Sequence, residues 1–420
     1  MQASLLTVLR CPFCGTALNL VAEVPVVRRG DDLESAVLGC ACCAYPVVAG
    51  IPVVIAGDRE RAAMNAIEAG HHQEALALML ALDGPRREAF RLLVDRGAAA
   101  TYREAIDVLS PDAEGTYFVY RLSDPTFVTA SGVLRALAQA PATLDGWVVD
   151  VCGGSGHLTR VLTGLRGERP GGTIVADLYY WKLWLGARMT VPGAHAVCCD
   201  ANDPLPLARG LASLVMLSDA FPYIWRRRAL AEELMRLVGH GGTLVMPHLH
   251  SALGENFSAG MTLTPADYAD LFAPLEPRLF PDRPLFEALV DHGVVDLTRA
   301  AAPDAIGDEP SITLVASRTP EAFSRHEVPA PTSVTGALAV NPLYALTYDN
   351  GATTLILRFP TAEYEEEFGA CRRYLPDTLT LAADLTAPLD PARLRATLGA
   401  GVYDDLRRRL VLIDAPPGYC

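Results

Sequence analysis

Seven apolar, strand-like segments alternate with helical segments between about residue 130 and residue 318. The segments read WVVDV, GTIVAD, AHAVCCD, LASLVMLSD, TLVMPHLH, GVVDLTRA and SITLVASR. Alternation of this kind is typical of βαβ units, in which helices cover both faces of a mainly parallel sheet. Residues 130–320 are therefore predicted to form a seven-stranded, doubly wound α/β domain.

Three flanking segments differ from this domain in composition. Residues 1–56 contain short strands, turns and five cysteines, and residues 57–129 have helical spacing. A linker, PAPTSVTG, precedes residues 337–420, where YALTYDNGATTLILRF predicts a β-hairpin that turns at Asn350 and Gly351. We expect a cysteine-rich N-terminal domain, a helical insert and a small C-terminal α+β unit.

The segment VVDVCGGSGHLTR, residues 148–160, reads as a strand that ends in a glycine loop and continues into a helix. Small residues let a ligand approach the backbone, and the amide groups at the helix start face that ligand. The segment lacks Gly-Lys-Ser/Thr, which excludes a P-loop, and G-G-x-G differs from the G-x-G-x-x-G of NAD-binding folds. The loop therefore indicates a nucleotide-like ligand of another kind.

The D-x-C-G-G-S-G pattern resembles motif I of the class I S-adenosylmethionine-dependent methyltransferases, usually D-x-G-x-G-x-G. Later segments resemble the other strands of that superfamily's Rossmann-like sheet, in order, with GVVDLTRA and SITLVASR as the reversed pair at its end. The resemblance implies that Asp177 binds the ribose hydroxyls and Asp200 the adenine amine, with Ala201 beside the ring. The residues expected to contact S-adenosylmethionine are Asp150, Cys152, Gly153, Gly154, Gly156, Asp177, Leu178, Asp200, Ala201 and Ser218.

Cys152 stands where this motif usually has its first glycine. A thiol is small, so it is tolerated there if its backbone dihedral angles are ordinary. We expect Cys152 to pack against its neighbours, with a reactive nucleophile as the alternative.

Two C-x2-C pairs, Cys11/Cys14 and Cys40/Cys43, are separated by 25 residues. Each pair can form a tight knuckle, and two knuckles complete a tetrahedral site of four thiolates. We expect these four cysteines to bind a structural zinc ion, with Cys42 pointing outward or packed. The alternative is a set of buried free thiols.

The cysteine-rich segment resembles the small zinc-ribbon proteins that activate tRNA, rRNA and release-factor methyltransferases as partner subunits. The resemblance implies a ribbon fused to a methyltransferase, with a structural role. Residues 1–56 carry three arginines and four acidic residues, so this ribbon is not a basic RNA clamp.

Methyl transfer requires an aligned acceptor and, for oxygen or carbon nucleophiles, a base. Open α/β sheets bind substrates beyond the carboxyl ends of their strands, and there we expect catalytic roles for Asp219, Tyr223, His248 and His250. The two histidines share one face of an extended chain, and imidazole suits a base at neutral pH. They are otherwise hydrogen-bonded loop residues, or a metal-binding pair for which no third ligand is evident.

Aromatic and basic residues precede the first strand of the domain, in TYFVYRLSDPTFV. Tyr117, Tyr120 and Arg121 are candidates to contact the methionine carboxylate or the substrate. Core packing is the alternative for the two tyrosines.

The net charge of −14 over 420 residues argues against a nucleic-acid partner. The sequence contains no apolar stretch long enough for a membrane span and no secretory signal, so we expect a cytoplasmic location without a membrane partner. The main interpretation is a methyltransferase of a small-molecule acceptor in secondary-metabolite biosynthesis. The alternatives are methylation of RNA or protein, and a non-catalytic or recruited methyltransferase fold; a homodimer is left open.

Overall fold

The computed structural model describes residues 1–140, 142–256, 260–329, 333–386 and 388–419. Its N-terminal unit, residues 1–56, consists of a short helix and a small antiparallel sheet. The elements are α1 (Ala3–Val8), β1 (Asn19–Leu20), β2 (Val27–Arg29), β3 (Asp32–Gly39), β4 (Ala44–Val48) and β5 (Ile51–Pro52). After β5 the chain runs beside the central sheet, where the N–H of Val54 donates to the carbonyl oxygen of Cys198 over 2.7 Å.

In the described residues, six α-helices connect this unit to the central sheet. They are α2 (Asp58–Glu68), α3 (His72–Met79), α4 (Gly84–Asp95), α5 (Tyr102–Leu109), α6 (Ala113–Tyr120) and α7 (Pro125–Leu137). Side-chain caps begin three of them, since Thr101 accepts the N–H of Glu104, Asp112 that of Gly115 and Asp124 that of Phe127. Helices α5 and α6 pack in the same core as Val175, and α7 packs in the same core as Val148; these two residues lie on the same face of the central sheet.

The predicted seven-stranded, doubly wound α/β sheet is confirmed. In chain order this region contains β6 (Trp147–Val151), α8 (His157–Arg166), β7 (Thr173–Asp177), α9 (Tyr180–Leu185), β8 (His195–Cys198), β9 (Ala212–Met216), α10 (Arg227–Leu237), β10 (Val238–His250), α11 (Pro265–Leu271), β11 (Arg278–Pro281), α12 (Asp282–His292), β12 (Val294–Asp296), β13 (Ser311–Ser317) and β14 (Arg325–Glu327). The sheet order is β11-β13-β10-β9-β6-β7-β8. Strands β6 to β10 are parallel, and β13 runs antiparallel to both of its neighbours.

Both faces of this sheet are buried, as the continuous apolar strands require. On β6, Val148 packs in the same core as Val133 of α7, whereas Val149 packs in the core that contains Leu230 and Leu234 of α10. Consecutive strand residues point to opposite faces, so helices cover the sheet on both sides. This arrangement leaves the carboxyl ends of the parallel strands available for a site.

The sequence prediction for the sixth strand of the sheet is wrong. The segment GVVDLTRA forms β12, which pairs with β14 in a separate two-stranded sheet. The place in the central sheet belongs to β11, RLFP, which pairs with β13. This strand has four residues and ends in a proline, so its sequence carries little strand signal.

The C-terminal unit, residues 337–419, contains two small sheets and three α-helices in its described residues. Its elements are β15 (Ala337–Val340), β16 (Tyr344–Asp349), β17 (Ala352–Leu357), α13 (Ala362–Phe368), β18 (Thr378–Leu381), α14 (Pro391–Leu398), α15 (Ala400–Arg408) and β19 (Leu412–Ala415). Strands β16 and β17 form the predicted hairpin, whose turn residues Asn350 and Gly351 have φ of +49° and +81°. Across the described residues, no helix is both long enough and apolar enough to cross a bilayer.

Candidate functional site

The glycine loop after β6 folds back onto the end of β7. Gly154 has a φ of +58°, and its N–H donates to Oδ2 of Asp177 over 2.9 Å. Gly153 lies so close to β6 that a Cβ atom there would be 2.6 Å from Oδ2 of Asp150. A left-handed backbone therefore favours glycine at position 154, and a close approach requires it at position 153.

Asp150 and Asp177 are buried carboxyl groups at the ends of β6 and β7. Oδ2 of Asp150 accepts a hydrogen bond from Oγ1 of Thr159 over 2.6 Å, and burial raises the pKa of Asp150 to about 7. Burial also raises the pKa of Asp177, although the charge of Lys182 opposes that shift. Each carboxylate oxygen has two lone pairs, so Asp177 can accept from a ligand while it accepts from the loop.

These residues line a cavity of about 740 Å³ at the carboxyl ends of the parallel strands. Open α/β sheets bind ligands at this edge, and the volume is typical of a small-molecule site. The residues predicted to contact S-adenosylmethionine all line this cavity, with the exception of Gly156. They are Asp150, Cys152, Gly153, Gly154, Asp177, Leu178, Asp200, Ala201 and Ser218. Their role in binding that ligand stays a prediction.

Two loop residues differ from the sequence expectation. Gly156 lies outside the cavity lining and begins α8 with a φ of +83°, where a Cβ atom would be 2.6 Å from Val191. Cys152 has a φ of +59°, so the ordinary backbone angles that were the condition for tolerating a thiol at this position are not present. Burial raises the pKa of the Cys152 thiol well above its usual value, which fits packing rather than nucleophilic attack.

Ser218 follows β9 and contributes a polar atom to the cavity. Its buried hydroxyl oxygen has no hydrogen-bond partner among the described residues. Buried hydroxyl groups are nearly always paired, so an orphaned one at a cavity wall points to a ligand atom that completes it.

Strands β9 and β10 bring Asp219, His248 and His250 together beside the cavity. Nε2 of His250 lies 3.1 Å from Oδ1 of Asp219, and Nδ1 of His248 lies 3.2 Å from Oδ2 of Asp282. Asp219 and Tyr223 line the cavity, whereas neither histidine does. Carboxylates hold both rings, Asp282 that of His248 and Asp219 that of His250, and the catalytic role expected of the two histidines stays a prediction.

The charges within this cluster shift two of its pKa values. Burial acts against ionisation of Asp219, but the hydrogen bond from His250 and the charge of His248 lower the pKa of Asp219. Burial also opposes the charged form of His248, but its bond to Asp282 and the charge of Asp219 raise the pKa of His248. The cluster is an electrostatically coupled unit.

Cys152, Asp219 and His248 share an unusual backbone, with φ of +59°, +59° and +58°. They lie at the carboxyl ends of β6, β9 and β10, which are neighbours in the sheet. A left-handed backbone costs a non-glycine residue about 1–2 kcal/mol. Strain of this kind concentrates at functional sites, where the surrounding structure enforces it.

Helix α6 and the C-terminal unit supply other parts of the lining. Arg121, after α6, is buried, donates to both carboxylate oxygens of Asp124 over 2.8 and 2.7 Å, and lies over the ring of Tyr117. Glu363 and Glu367 of α13 form an exposed part of the cavity wall. Sequence reasoning named Tyr117 and Arg121 but missed the glutamates, whose only signal is the acidic run EYEEEF. The other lining residues that it did not assign to the site are Glu114, Phe118, His157, Leu158, Lys182, Asn202, Ala220, Ile224 and Trp225.

A buried hydrogen-bond network fixes the loop to both flanking regions. The hydroxyl of Tyr102 lies 2.8 Å from Oγ of Ser155, which lies 3.3 Å from Nδ1 of His157. Nε2 of His157 lies 2.8 Å from the hydroxyl of Tyr419, which donates to the carbonyl oxygen of Phe118 over 2.8 Å. The network joins the glycine loop to α5, α6 and the end of the C-terminal unit.

In the N-terminal unit, the sulfur atoms of Cys11, Cys14, Cys40 and Cys42 lie within 4.8 Å of one another. Three of their separations lie between 3.5 and 3.7 Å, close to the edge of about 3.8 Å that a tetrahedron with Zn–S bonds of about 2.3 Å would have. The sequence named Cys43 instead of Cys42. The sulfur of Cys43 lies 3.5 Å from that of Cys42 but outside the group.

No family model and no curated protein matches the sequence. Solved structures to which the chain is similar include the complex of the Haloferax volcanii Trm112 methyltransferase activator with a methyltransferase (19% identity, TM-score 0.32, covering 43% of this chain and 86% of that chain). They also include a SAM-dependent methyltransferase from Aquifex aeolicus (14%, TM-score 0.34, 48% and 97%). A third is geranyl diphosphate C-methyltransferase from Streptomyces coelicolor A3(2) (16%, TM-score 0.30, 41% and 70%). Because these TM-scores are low, the interpretation of the cavity rests on its own geometry.

Proposed function

We propose that this chain is an S-adenosylmethionine-dependent methyltransferase that acts on a small molecule. One observation carries the proposal: the glycine loop, Asp177 and Asp200, which the methyltransferase resemblance assigns to one ligand, line a single cavity at the carboxyl edge of the sheet. If the motif were accidental, packed side chains would fill this space.

The lining residues fit this ligand by their chemistry. The carboxylate of Asp177 can accept hydrogen bonds from both hydroxyls of a ribose, and Asp200 can accept one from an adenine amine. Ser218 offers a buried hydroxyl that is otherwise unpaired in the described part of the chain. The glycines let the ligand lie against the loop backbone.

When bound, the ligand supplies a methyl group on a positively charged sulfur, which leaves as a neutral thioether while the acceptor gains the methyl. The residues of this chain have to align the acceptor, exclude water and, where the acceptor atom carries a proton, take that proton. Asp219 and Tyr223 line the β9 end of the cavity, and His250 is bonded to Asp219. This end of the cavity has the groups that such a reaction needs.

The charge of the lining favours a small molecule over RNA. Its two cationic side chains are both paired, Arg121 with Asp124 and Lys182 with Glu114. The carboxyl groups of the lining outnumber them and belong to Glu114, Asp150, Asp177, Asp200, Asp219, Glu363 and Glu367. A site for a phosphate backbone requires unpaired Lys and Arg side chains, so the acidic cavity supports a small acceptor.

We also infer that the four-cysteine group holds a structural zinc ion. The sulfur separations support a closed four-thiolate site, which has no open position for catalysis. Leu9, Leu18 and Tyr45 of the N-terminal unit pack in the same core as Val149 of the central sheet. The ion would therefore stabilise a unit that supports the sheet.

Two measurements test the proposed function. Titration calorimetry of the full chain should detect S-adenosylmethionine and S-adenosylhomocysteine binding at micromolar Kd. Isotope-labelled methyl groups should then appear in the small-molecule fraction of a cell extract rather than in its protein or RNA. Absence of binding would exclude the proposal, binding without any labelled product would favour a non-catalytic fold, and label in RNA or protein would assign the macromolecular alternative.

A further inference from the structure

We propose that Asp219, His248 and His250 bind a divalent first-row transition metal ion at the edge of the cavity. The sequence suggested only a histidine pair without a third ligand, because Asp219 follows a different strand. The fold supplies that ligand, since one potential ligand atom from each of the three residues lies within 4.8 Å of the others.

The separation of the ligand atoms fits direct coordination. Bonds of about 2.1 Å from a metal to nitrogen and oxygen place neighbouring ligand atoms about 3.0 Å apart in an octahedron and about 3.4 Å apart in a tetrahedron. Nε2 of His250 and Oδ1 of Asp219 are 3.1 Å apart. The two imidazole rings are nearly perpendicular, with their centroids 5.0 Å apart, and one nitrogen of each lies within 4.8 Å of the other.

A second carboxylate orients one of the histidines. Nδ1 of His248 lies 3.2 Å from Oδ2 of Asp282, and Oδ1 of Asp282 accepts a hydrogen bond from Oγ1 of Thr313 over 2.7 Å. A histidine that binds a metal usually donates its other ring N–H to a carboxylate in this way. His248 therefore keeps Nε2 available as the ligand atom.

The local backbone is shaped to bring these residues together. The register of β10 against β13 shifts between Met246 and Leu249, and His248 within this irregularity has a φ of +58°. The hydroxyl of Tyr268 donates to the carbonyl oxygen of His250 over 2.9 Å, which anchors the end of the strand. Without this irregularity, an extended strand would hold the two rings side by side on one face.

Two imidazoles and one carboxylate select the class of metal. Nitrogen ligands suit Zn²⁺, Fe²⁺ and Co²⁺, whereas Mg²⁺ and Ca²⁺ prefer oxygen ligands. Three protein ligands leave coordination positions open, as in catalytic rather than structural sites. Because Asp219 also lines the cavity, a bound acceptor can reach the ion at this wall.

The role of the ion rests on the proposed function, whereas its binding does not. A metal ion that contacts an oxygen or nitrogen of the acceptor lowers the pKa of that atom and makes it a better nucleophile at neutral pH. The two histidines would then act as ligands rather than as the base.

The test is the number of zinc ions bound per chain. The full-length chain, freed of metal by a chelator and reloaded with Zn²⁺, should bind one ion more than the His250→Ala and Asp219→Asn variants, as measured by mass spectrometry of the metal. His240→Ala is the matched control, because His240 is an exposed histidine of the same strand, and it should bind as many ions as the wild type. Equal zinc content in the wild type and both folded site variants would overturn the proposal.

A milder variant guards against misfolding. Asp282 is the partner of His248 and not itself a proposed ligand, so Asp282→Asn removes a negative charge but leaves all three ligands in place. This variant should weaken Zn²⁺ binding at the site by about 10- to 100-fold. Unchanged affinity in that variant would contradict the assigned geometry. The metal measurements are made without S-adenosylmethionine, so a chain that binds the extra Zn²⁺ but no S-adenosylmethionine would refute the proposed function and retain the metal site.

Discussion

The two sides of the cavity are built differently, and by our proposal one binds the cofactor and the other the acceptor. The cofactor side, formed by the loop after β6 and the ends of β7 and β8, takes Gly154, Asp177 and Asp200 from one run of consecutive βαβ units. The acceptor side combines residues after β9 and β10 with Glu363 and Glu367 from the C-terminal unit. Its residues are distant in sequence and meet only when the chain has folded.

The flanking units contribute differently to the two sides, although the network through His157 and Tyr419 also joins the cofactor side to the C-terminal unit. Beside β8, the N–H of Val54 from the N-terminal unit bonds to the carbonyl oxygen of Cys198, two residues before Asp200. Glu367 reaches the acceptor side from α13 of the C-terminal unit. By our proposal the cofactor binds mainly to the local motif, whereas the acceptor also faces residues of the C-terminal unit, so we expect acceptor specificity to reside on the second side.

The largest expected effect is the removal of zinc from the N-terminal unit. If free zinc is present at 1,000 times its Kd, its removal should lower the free energy of unfolding by about 4 kcal/mol. Hydrogen exchange should increase first at β8, beside the N-terminal unit, and later at β10. Faster exchange at β10 than at β8 would show that the N-terminal unit does not support the cofactor side more than the acceptor side.

A matched pair of variants tests which cysteine completes the group. Cys42→Ser should lose the zinc ion and the stability that depends on it, whereas Cys43→Ser should keep both, because only Cys42 lies within the group of four sulfur atoms. Metal content and the midpoint of urea unfolding measure these effects. The reverse result would restore the C-x2-C pairing expected from the sequence.

The Asp177→Ala variant should abolish most binding on the cofactor side. The carboxylate both fixes the N–H of Gly154 and, by our proposal, accepts the ribose hydroxyls. The loss of two charge-assisted hydrogen bonds should raise the Kd for S-adenosylhomocysteine about 100-fold, or roughly 2.7 kcal/mol. Asp203→Ala is the control, because Asp203 pairs with Arg226 outside the cavity, and its Kd should stay within twofold of the wild type.

The comparison also explains how far the sequence could be read. The strand–loop–helix at Gly153 and Gly154 was recognisable because glycine spacing reflects local backbone geometry. Asp219 and His248 were named as candidates from their places at strand ends, but their proximity was not predicted, since it depends on the pairing of β9 with β10 and on an irregularity that no local motif records. The strand β11 was missed for a related reason, because four residues acquire strand structure only by pairing with β13.

His157 links the cofactor side to the C-terminal unit and should make stability depend on pH. Burial, with the charges of Arg121 and Arg160, holds the pKa of His157 well below its usual value of 6.5. The unfolded chain therefore binds a proton near pH 6.5 that the folded chain does not, so stability is complete above this pH and falls below it. The contribution reaches about 1.4 kcal/mol per pH unit.

Urea unfolding between pH 7.5 and 5.5 measures this slope. His157→Gln should reduce the loss of stability on acidification, whereas His240→Gln, at an exposed position, should leave it as in the wild type. Equal slopes for the wild type and His157→Gln would show that other groups control the acid response.

Glu367→Gln tests the acceptor side with a smaller effect. The side chain lies at an exposed part of the cavity wall, so removal of its charge should leave the Kd for S-adenosylhomocysteine unchanged. Labelled methyl transfer into the small-molecule fraction should fall about fivefold, or roughly 1 kcal/mol, as is typical of a partly screened charge. Glu366→Gln, also exposed on α13 but outside the lining, is the control and should transfer methyl groups at the wild-type rate. If Glu367→Gln changed the Kd for S-adenosylhomocysteine but not the rate of methyl transfer, Glu367 would belong to the cofactor side rather than to the acceptor side.

The smallest effect concerns Cys152, the residue that departs from the glycine motif. With a φ of +59°, any side chain at this position carries the cost of a left-handed backbone, which glycine avoids. Cys152→Gly should therefore unfold at higher urea than Cys152→Ala, which keeps the Cβ atom and loses the sulfur contacts, by about 1 kcal/mol. In the interior of α4, where the backbone is right-handed, glycine should be less stable than alanine. The Ala89→Gly variant should therefore have a free energy of unfolding about 1 kcal/mol below that of the wild type. The Kd of Cys152→Gly for S-adenosylhomocysteine should stay close to that of the wild type, because the cysteine strains the loop without changing what the loop binds. A much tighter Kd in this variant would show instead that Cys152 weakens cofactor binding, so that the cofactor side would not depend on the glycine motif alone.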